Sequence, residues 1–351
     1  MSVTVTSHER PGVYSVYDAS SLVRASGVKR VGLIAMADEG DGSEAYVWYT
    51  YAQALELLGE SNNMAEMVRL LFLNGAAAVY GVPVSEASQY ETAIATSEGL
   101  EEIGLLVCDS TELTVQQAVR DSVQAASEVR RERIAVLPGG TDETVTELCA
   151  RAKELNCERV VLVAPGAVDA TGTSIGAACC AAAVAGAIAG EGDPAVPLGG
   201  AVLSGLNGLD LRYSDSEIDA LVRGGVTALE NVNGEISVIR GITTKTKSGE
   251  VEDESWRELT TILIVDEVIP GIRKALRSRF QRAKNTAQTR NAIRSQVILE
   301  LENRVSKEII TGYEGVAVTA LADDPTVCLV EFAFTVAHGL NQIWLSAHIT
   351  I

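Results

Sequence analysis

From Ile103 to Ala189 short apolar runs take turns with amphipathic stretches, and this alternation restricts the possible fold more than any other feature of the chain. Ile103 to Cys108, Arg133 to Leu137 and Arg159 to Ala164 read as strands. Val115 to Glu128, Asp142 to Leu155 and Ser174 to Ala189 read as helices. Near-continuous apolar strands separated by helices imply an α/β fold: a mostly parallel sheet with helices on both faces. The pattern begins upstream with a strand at Arg30 to Met36 and an acidic, Gly-rich loop from Ala37 to Glu44. Helical spacing follows at Tyr51 to Leu58 and Met64 to Leu73, closed by Asn74-Gly75, and Ala76 to Val84 is again strand-like.

The two ends follow other rules. Val3 and Val5 alternate with threonines, Arg10-Pro11-Gly12 interrupts, and Val13, Tyr14, Val16 and Tyr17 resume the extended pattern. A strand this short cannot bury its own surface, so it is expected to dock elsewhere. Residues 193 to 250 are loop-rich, with a helix opening at Ser214-Asp215 and ending at Gly224-Gly225, and a strand at Ile236 to Thr244. Lys245 to Glu254 is a polar hinge. Glu258 to Ala283 and Thr286 to Ile309 read as two helices, each with one apolar stripe. Two strands close the chain, Thr326 to Val336 and Gln342 to Ile351. In the second, Ile343, Leu345, Ala347, Ile349 and Ile351 share a face.

Composition limits the partners and the chemistry. With 351 residues the chain holds two or three modules. Its net charge of −19 argues against nucleic acid or an anionic membrane as the main partner. No apolar core of a signal peptide opens the sequence. The most apolar window, Ile175 to Ala189, is too short and too small-sided to span a bilayer. Cys108, Cys149, Cys157, Cys179, Cys180 and Cys328 form no CxxC and sit in apolar contexts, which suits reduced core thiols of a cytosolic protein. The three histidines, His8, His338 and His348, all lie outside the alternating region, so a Ser-His-Asp site is hard to build. There is no GxxxxGK[ST]. The glycines of Pro165 to Gly172 follow a strand and precede a helix, where a phosphate loop would sit, but their spacing is not GxGxxG and a plain turn is the better reading. Asp38, Glu39, Asp41 and Glu44 lack the ligand pattern of a calcium loop. No catalytic, cofactor or metal site is expected. The rival is a soluble cytosolic α/β enzyme holding a phosphate-bearing ligand at Pro165 to Gly176.

Against this acidic background one stretch is basic. Between Pro270 and Leu299 stand Arg273, Lys274, Arg277, Arg279, Arg282, Lys284, Arg290 and Arg294 with no Asp or Glu among them. A solvated helix face normally carries both signs. Bases without local acids are expected to meet an acidic protein partner, through contacts each worth about 0–1 kcal/mol that a repeated assembly multiplies.

The order of several motifs resembles the contractile tail sheath proteins of myophages, R-type bacteriocins and contractile injection systems. These are RPGVYSVY at 10–17, AAAVAGAIAGEGDP at 181–194, SDSEIDALVRGGVTAL at 214–229, NGEISVIRGITT at 233–244, ALRSRFQRAKNTAQTRNAI at 275–293 and the closing alternating strands. The resemblance runs over nearly the whole chain. It implies a non-enzymatic structural subunit that polymerises as stacked rings in a helical sheath around an inner tail tube, and that meets baseplate and tail-terminating proteins. Assembly would take place in the bacterial cytoplasm, and the product would be a phage tail or a released contractile particle. It further implies a subtilisin-like central domain without protease activity, and terminal arms that add strands to a sheet in neighbouring subunits. The expected divisions are an arm at 1–24, an α/β segment at 25–98 packing with the carboxy-terminal domain, the central domain at 99–245, a tube-proximal α+β domain at 246–339 and a strand arm at 340–351. Arg273, Lys274, Arg277, Arg279, Arg282 and Lys284 become the candidates for tube contact. Val3, Val5, Val13, Tyr14 and Val16, with Ile343, Leu345, Ala347, Ile349 and Ile351, become the candidate arm strands.

Overall fold

The computed structural model describes residues 29–59, 62–140, 142–249 and 251–341. The arm residues Val3, Val5, Val13, Tyr14, Val16, Ile343, Leu345, Ala347, Ile349 and Ile351 lie outside the described residues. In chain order the first half contains β1 (Arg30–Met36), β2 (Tyr46–Trp48), α1 (Tyr51–Leu58), α2 (Asn63–Leu73), β3 (Val79–Val84), α3 (Tyr90–Glu98), β4 (Ile103–Cys108), α4 (Leu113–Glu128), β5 (Ile134–Pro138), α5 (Val145–Leu155) and β6 (Val160–Ala164). There follow β7 (Ala167–Val168), β8 (Ser174–Gly176), α6 (Ala177–Gly190), β9 (Gly208–Leu209), α7 (Asp215–Arg223), β10 (Thr227–Val232), β11 (Glu235–Val238), β12 (Lys247–Ser248), β13 (Val251–Glu252), α8 (Leu259–Phe280), α9 (Ala287–Ser306), β14 (Ile310–Ala320) and β15 (Cys328–Val336).

The principal sheet runs β11-β10-β6-β5-β4-β1-β3-β2. Its six inner strands are parallel, and β2 and β11 are antiparallel edges. Side chains on a strand alternate between faces, and here each face meets helices. Leu105 and Val107 of β4 and Val161 and Val163 of β6 enter the core beneath α2 and α6. Leu106 and Cys108, with Val160 and Leu162, enter the core beneath α3, α4 and α5. Burial on both sides is why these strands are apolar at every position rather than every second one.

The expected α/β class therefore holds. β1, β2 and β3, from the stretch before residue 98, join the same sheet as the 99–245 strands, with β1 lying between β3 and β4. The small-sided window at Ile175 to Ala189 falls, from Ala177 on, in α6, which is apolar on all sides because it is sandwiched between the sheet and α2. Its small side chains let the backbones close in. A Cβ on Gly186 would lie 2.8 Å from the Leu71 carbonyl, and one on Gly75 would lie 2.7 Å from the Cα of Gly190.

The carboxy-terminal unit hangs on α8. The first turns of α8 give Leu259 and Ile262 to the sheet core. Farther along, Ile264, Val268, Ile272 and Leu276 form a second cluster with Val297 and Leu301 of α9 and Ile310 of β14. The same helix crosses the amino ends of the sheet strands and is bonded to them there. Arg159, just before β6, donates to both carboxylate oxygens of Asp266 at 3.0 and 2.8 Å, with the Arg159 side chain only 1% exposed. Two turns on, Arg273 reaches Glu132, just before β5, at 3.4 Å. A seven-residue step places Asp266 and Arg273 on one face of the helix, and adjacent strands supply the two partners in step with it.

A strand at Ile310 to Ala320 was not expected from the sequence, where only Thr326 to Val336 was assigned as its neighbour. The reason is local. Register shifts at Ile310/Gly312 and Glu314/Ala317, with Gly315 at φ +67°, break the period of two that a sequence reading depends on.

Two outcomes test this joint. Asp266→Asn removes the carboxylate to which two guanidinium nitrogens of buried Arg159 donate and is expected to cost about 3–5 kcal/mol, whereas Arg159→Met with Asp266→Leu costs far less. Equal losses in urea unfolding for the two variants would contradict the pairing. Burial pushes the Glu132 carboxyl up from 4.5 to about 7, a rise that the Arg273 charge only partly opposes. The folded chain thus holds a proton there that the unfolded chain has released. Glu132 contributes stability below pH 4.5 that is lost as pH rises towards 7, with a slope of up to ~1.4 kcal/mol per pH unit. Glu132→Gln should flatten that slope, measured as denaturant midpoints between pH 5 and pH 8.

Candidate assembly surfaces

The basic stretch occupies the far half of α8, the turn after it and the start of α9. The structure divides it in two. Arg273, with its side chain 12% exposed, is turned inward onto Glu132 and belongs to the joint. Lys274, Arg277, Arg279, Arg282 and Lys284 are exposed along the outer side of α8 and its turn. The expectation that these bases lack local partners is corrected for four of them. Besides Arg273, Arg279 donates to the Gln296 side chain, Arg290 donates to Asn285 at 2.9 Å, and Arg294 donates to the Val316 carbonyl at 2.9 Å. Among the described residues no ion pair ends on Lys274, Arg277, Arg282 or Lys284. These four, with Arg279, form a positive tip on a chain of net charge −19.

The tip is held firmly. Asn285, in the turn, donates to the carbonyls of Pro325 at 2.8 Å and Val327 at 3.2 Å, tying it to the loop between β14 and β15. Thr286 caps α9 by accepting from the Thr289 amide.

β14 and β15 make a second surface. They pair antiparallel with each other, and among the described residues neither has another neighbour. Val330, Phe332, Phe334 and Val336 point towards α8 and α9, and the two phenylalanine rings stack at 6.3 Å. The opposite side of β15, at Glu331, Ala333 and Thr335, is exposed. A two-stranded sheet is marginal alone, and among the described residues this one is supported from beneath, by α8 and α9. Its outer edges present free amides and carbonyls that another extended segment can pair with.

The rival ligand loop fares worse. Asp169 uses its carboxylate within the loop, accepting from the Thr171 amide at 2.8 Å, the Thr171 hydroxyl at 2.7 Å and the Thr173 amide at 2.9 Å. The amino end of α6, which would hold a phosphate, is already faced by an acid. A Cβ on Gly166 would run into the Asp210 carboxylate and lie 3.2 Å from the Ala177 amide nitrogen. A second carboxylate, Asp109, sits at the carboxyl end of β4 where the strand order switches direction. It accepts from the Met36 amide at 2.8 Å, Asn63 at 2.8 Å and the Tyr90 hydroxyl at 2.6 Å, so its bonding capacity is spent on structure. Burial pushes the Cys179 thiol up to about 12 and that of Cys180 well above its ordinary value, the direction of packed core thiols rather than of activated nucleophiles.

The β14–β15 sheet and the positive tip are thus two separate surfaces of the carboxy-terminal unit. A family model described as phage tail sheath protein central domain matches residues 84–244, and one described as phage tail sheath C-terminal domain matches residues 251–350. This chain belongs to the phage tail sheath family. The tail sheath protein of Bacillus phage SP01 is 29% identical over 250 residues, covering 70% of this chain. The chain spans only 42% of the length of that relative. The fold is also similar to the helical sheath of the anti-feeding prophage in its contracted state, with a TM-score of 0.72 and 17% identity over 98% of this chain and 99% of the other. A sheath tail protein from Desulfitobacterium hafniense aligns with a TM-score of 0.70 and 14% identity, covering 93% of this chain and all of its own.

Within this sheath-family chain the two kinds of base separate by substitution. Lys274→Ala, Arg277→Ala, Arg282→Ala and Lys284→Ala should each change unfolding free energy by less than about 0.5 kcal/mol. Arg273→Ala, which strands a buried carboxylate, should cost about 3–5 kcal/mol in urea at pH 8. Similar costs for all five would refute the division.

Proposed function

We propose that this chain is the structural subunit of a contractile tail sheath. It polymerises helically around an inner tail tube and contracts to drive that tube through a target envelope. The observation that carries the reading is the β14–β15 sheet. Among the described residues it is open at both edges; it is fixed to a helical base and followed after five residues by the alternating segment 342–351. A segment of that pattern from one copy can complete the sheet of another, and so can the extended pattern at Val3, Val5, Val13, Tyr14 and Val16. Such head-to-tail contacts generate a ring where the rotation closes and an open helix where it does not, and the proposed sheath is the second case. In this reading 1–24 and 340–351 are the exchanged arms, and 246–339 is the unit nearest the tube.

The positive tip is the proposed tube contact, through Lys274, Arg277, Arg279, Arg282 and Lys284, with Arg273 serving the joint instead. Each exposed pair contributes little and is screened by salt, so the extended array holds through many weak contacts and lets go together. Contraction then needs no nucleotide and no catalysis in this chain. The Asp210 carboxylate at the amino end of α6 supports that view over a phosphate-binding enzyme. Assembly in the bacterial cytoplasm, into a phage tail or a released particle with baseplate and terminating proteins, follows from the same reading.

Two experiments separate the surfaces. Deleting Gln342 to Ile351 should abolish polymerisation while leaving the monomer folded by circular dichroism. Normal polymers from the truncated chain would sink the arm assignment. Reversing charge at Lys274, Arg277 and Arg282 should cut the yield of extended particles on co-expression with the tube at least ~10-fold while leaving sheet formation between copies intact. An unchanged yield would remove the tip from the tube.

A further inference from the structure

One base of the positive tip is not free to meet a partner. Arg279 stands three positions beyond Leu276 on the stripe of Val268, Ile272 and Leu276, so it lies on the side of α8 that faces α9. There its guanidinium donates to the side-chain carbonyl of Gln296 on α9. Gln296 is polar yet only 8% exposed, and its orientation is fixed. Its amide nitrogen donates to Glu300, one turn along α9, at 2.9 Å. A carboxylate offers acceptors only, so the amide turns its NH2 towards Glu300 and its carbonyl towards Arg279. Glu300 is held in turn by Arg304, which donates to its carboxylate at 2.5 Å and to its backbone carbonyl at 2.9 Å. Arg304 fills the space that Gly271 leaves on α8, where a Cβ would run into the guanidinium. A hydrogen-bonded line thus runs from Arg304, inside the α8–α9 seam, through Glu300 to Gln296, and ends on an acceptor aimed at an exposed base.

We propose, resting on the reading of the tip as a surface for an acidic protein, that Gln296 holds Arg279 in reserve as an internal competitor for that partner. A guanidinium meets a carboxylate through a planar fork of donors. To present the fork outward Arg279 must leave Gln296, whose buried carbonyl then lacks a donor. Lys274, Arg277, Arg282 and Lys284 carry no such penalty: they are exposed, and among the described residues no ion pair or side-chain hydrogen bond ends on them. Four bases therefore meet an acid at once, and the fifth joins only where the acid on the partner outcompetes Gln296. The strength of the contact is set in part from inside the subunit, by a residue that never touches the partner.

The test uses the full-length chain with poly-L-glutamate as the acidic probe, at low ionic strength, so that it does not depend on a tube. Gln296→Leu keeps a similar volume without the acceptor and should bind the probe about 2- to 5-fold more tightly, the effect of one added exposed pair. Arg279→Ala should leave binding by the unaltered chain nearly unchanged, whereas Arg277→Ala weakens it by about that same factor. In the Gln296→Leu background, Arg279→Ala should cancel the whole gain. Binding that Gln296→Leu does not tighten, or a gain that survives Arg279→Ala, overturns the proposal and leaves the tip as an acid-binding surface. No binding by the unaltered chain overturns both. A second measurement needs no partner. Phenylglyoxal should modify Arg279 several-fold more slowly than Arg277, followed by peptide mass spectrometry, and Gln296→Leu should abolish the difference. Equal rates in the unaltered chain would show that Gln296 does not hold Arg279 in solution, and would overturn the proposal as well.

Discussion

Two buried charge pairs on one face of α8 hold the molecule together as a mechanical part. Arg159 with Asp266 and Glu132 with Arg273 bolt the helix across the amino ends of β6 and β5. Apolar contacts alone would let a helix slide along a sheet edge, because the hydrophobic effect has no direction. Charges that lose most of their water have one satisfactory geometry and large penalties elsewhere. The carboxy-terminal unit is therefore set at a defined angle to the sheet. Everything the unit presents, the positive tip and the open β14–β15 edges, inherits that placement. Arg304 extends the same logic one layer out. It donates to Glu300 within α9 and approaches Glu267 of α8 at 3.9 Å, where Gly271 leaves room for its guanidinium.

The exposed surfaces work on the opposite principle. Lys274, Arg277, Arg282 and Lys284 are exposed, and among the described residues no ion pair ends on them. The interior of the subunit is costly to rearrange, and its surface contacts are cheap to exchange. A subunit made in this way can move as a rigid body while its neighbours change, which is what a contracting array requires. Main-chain pairing at a sheet edge lies between these extremes, since a ladder of backbone bonds forms cooperatively and is not screened by salt.

Much of this was legible in the sequence wherever one local rule governed. The doubly covered sheet was visible in the apolar runs at Ile103, Arg133 and Arg159, and the helix ends were marked by Asn74-Gly75 and Gly224-Gly225. β14 was hidden because its two bulges erase the alternation from which strands are read. The inward turn of Arg273 was hidden for another reason. Its partner Glu132 is 141 positions away, so a window along the sequence shows a base among bases and no acid. The sheet partnership of β1 with β4 is likewise non-local, and no pattern along the sequence marks which strands become neighbours. The family resemblance came from the order of motifs, each of which alone is a common turn or helix pattern.

The central claim is that this chain polymerises through the carboxy-terminal unit into an open helix. Negative-stain electron microscopy of the purified full-length protein, alone and after co-expression with the proposed tube protein, tests this most directly. The account predicts hollow striated tubes of variable length. Uniform particles of one small size under both conditions, at all concentrations, would contradict it.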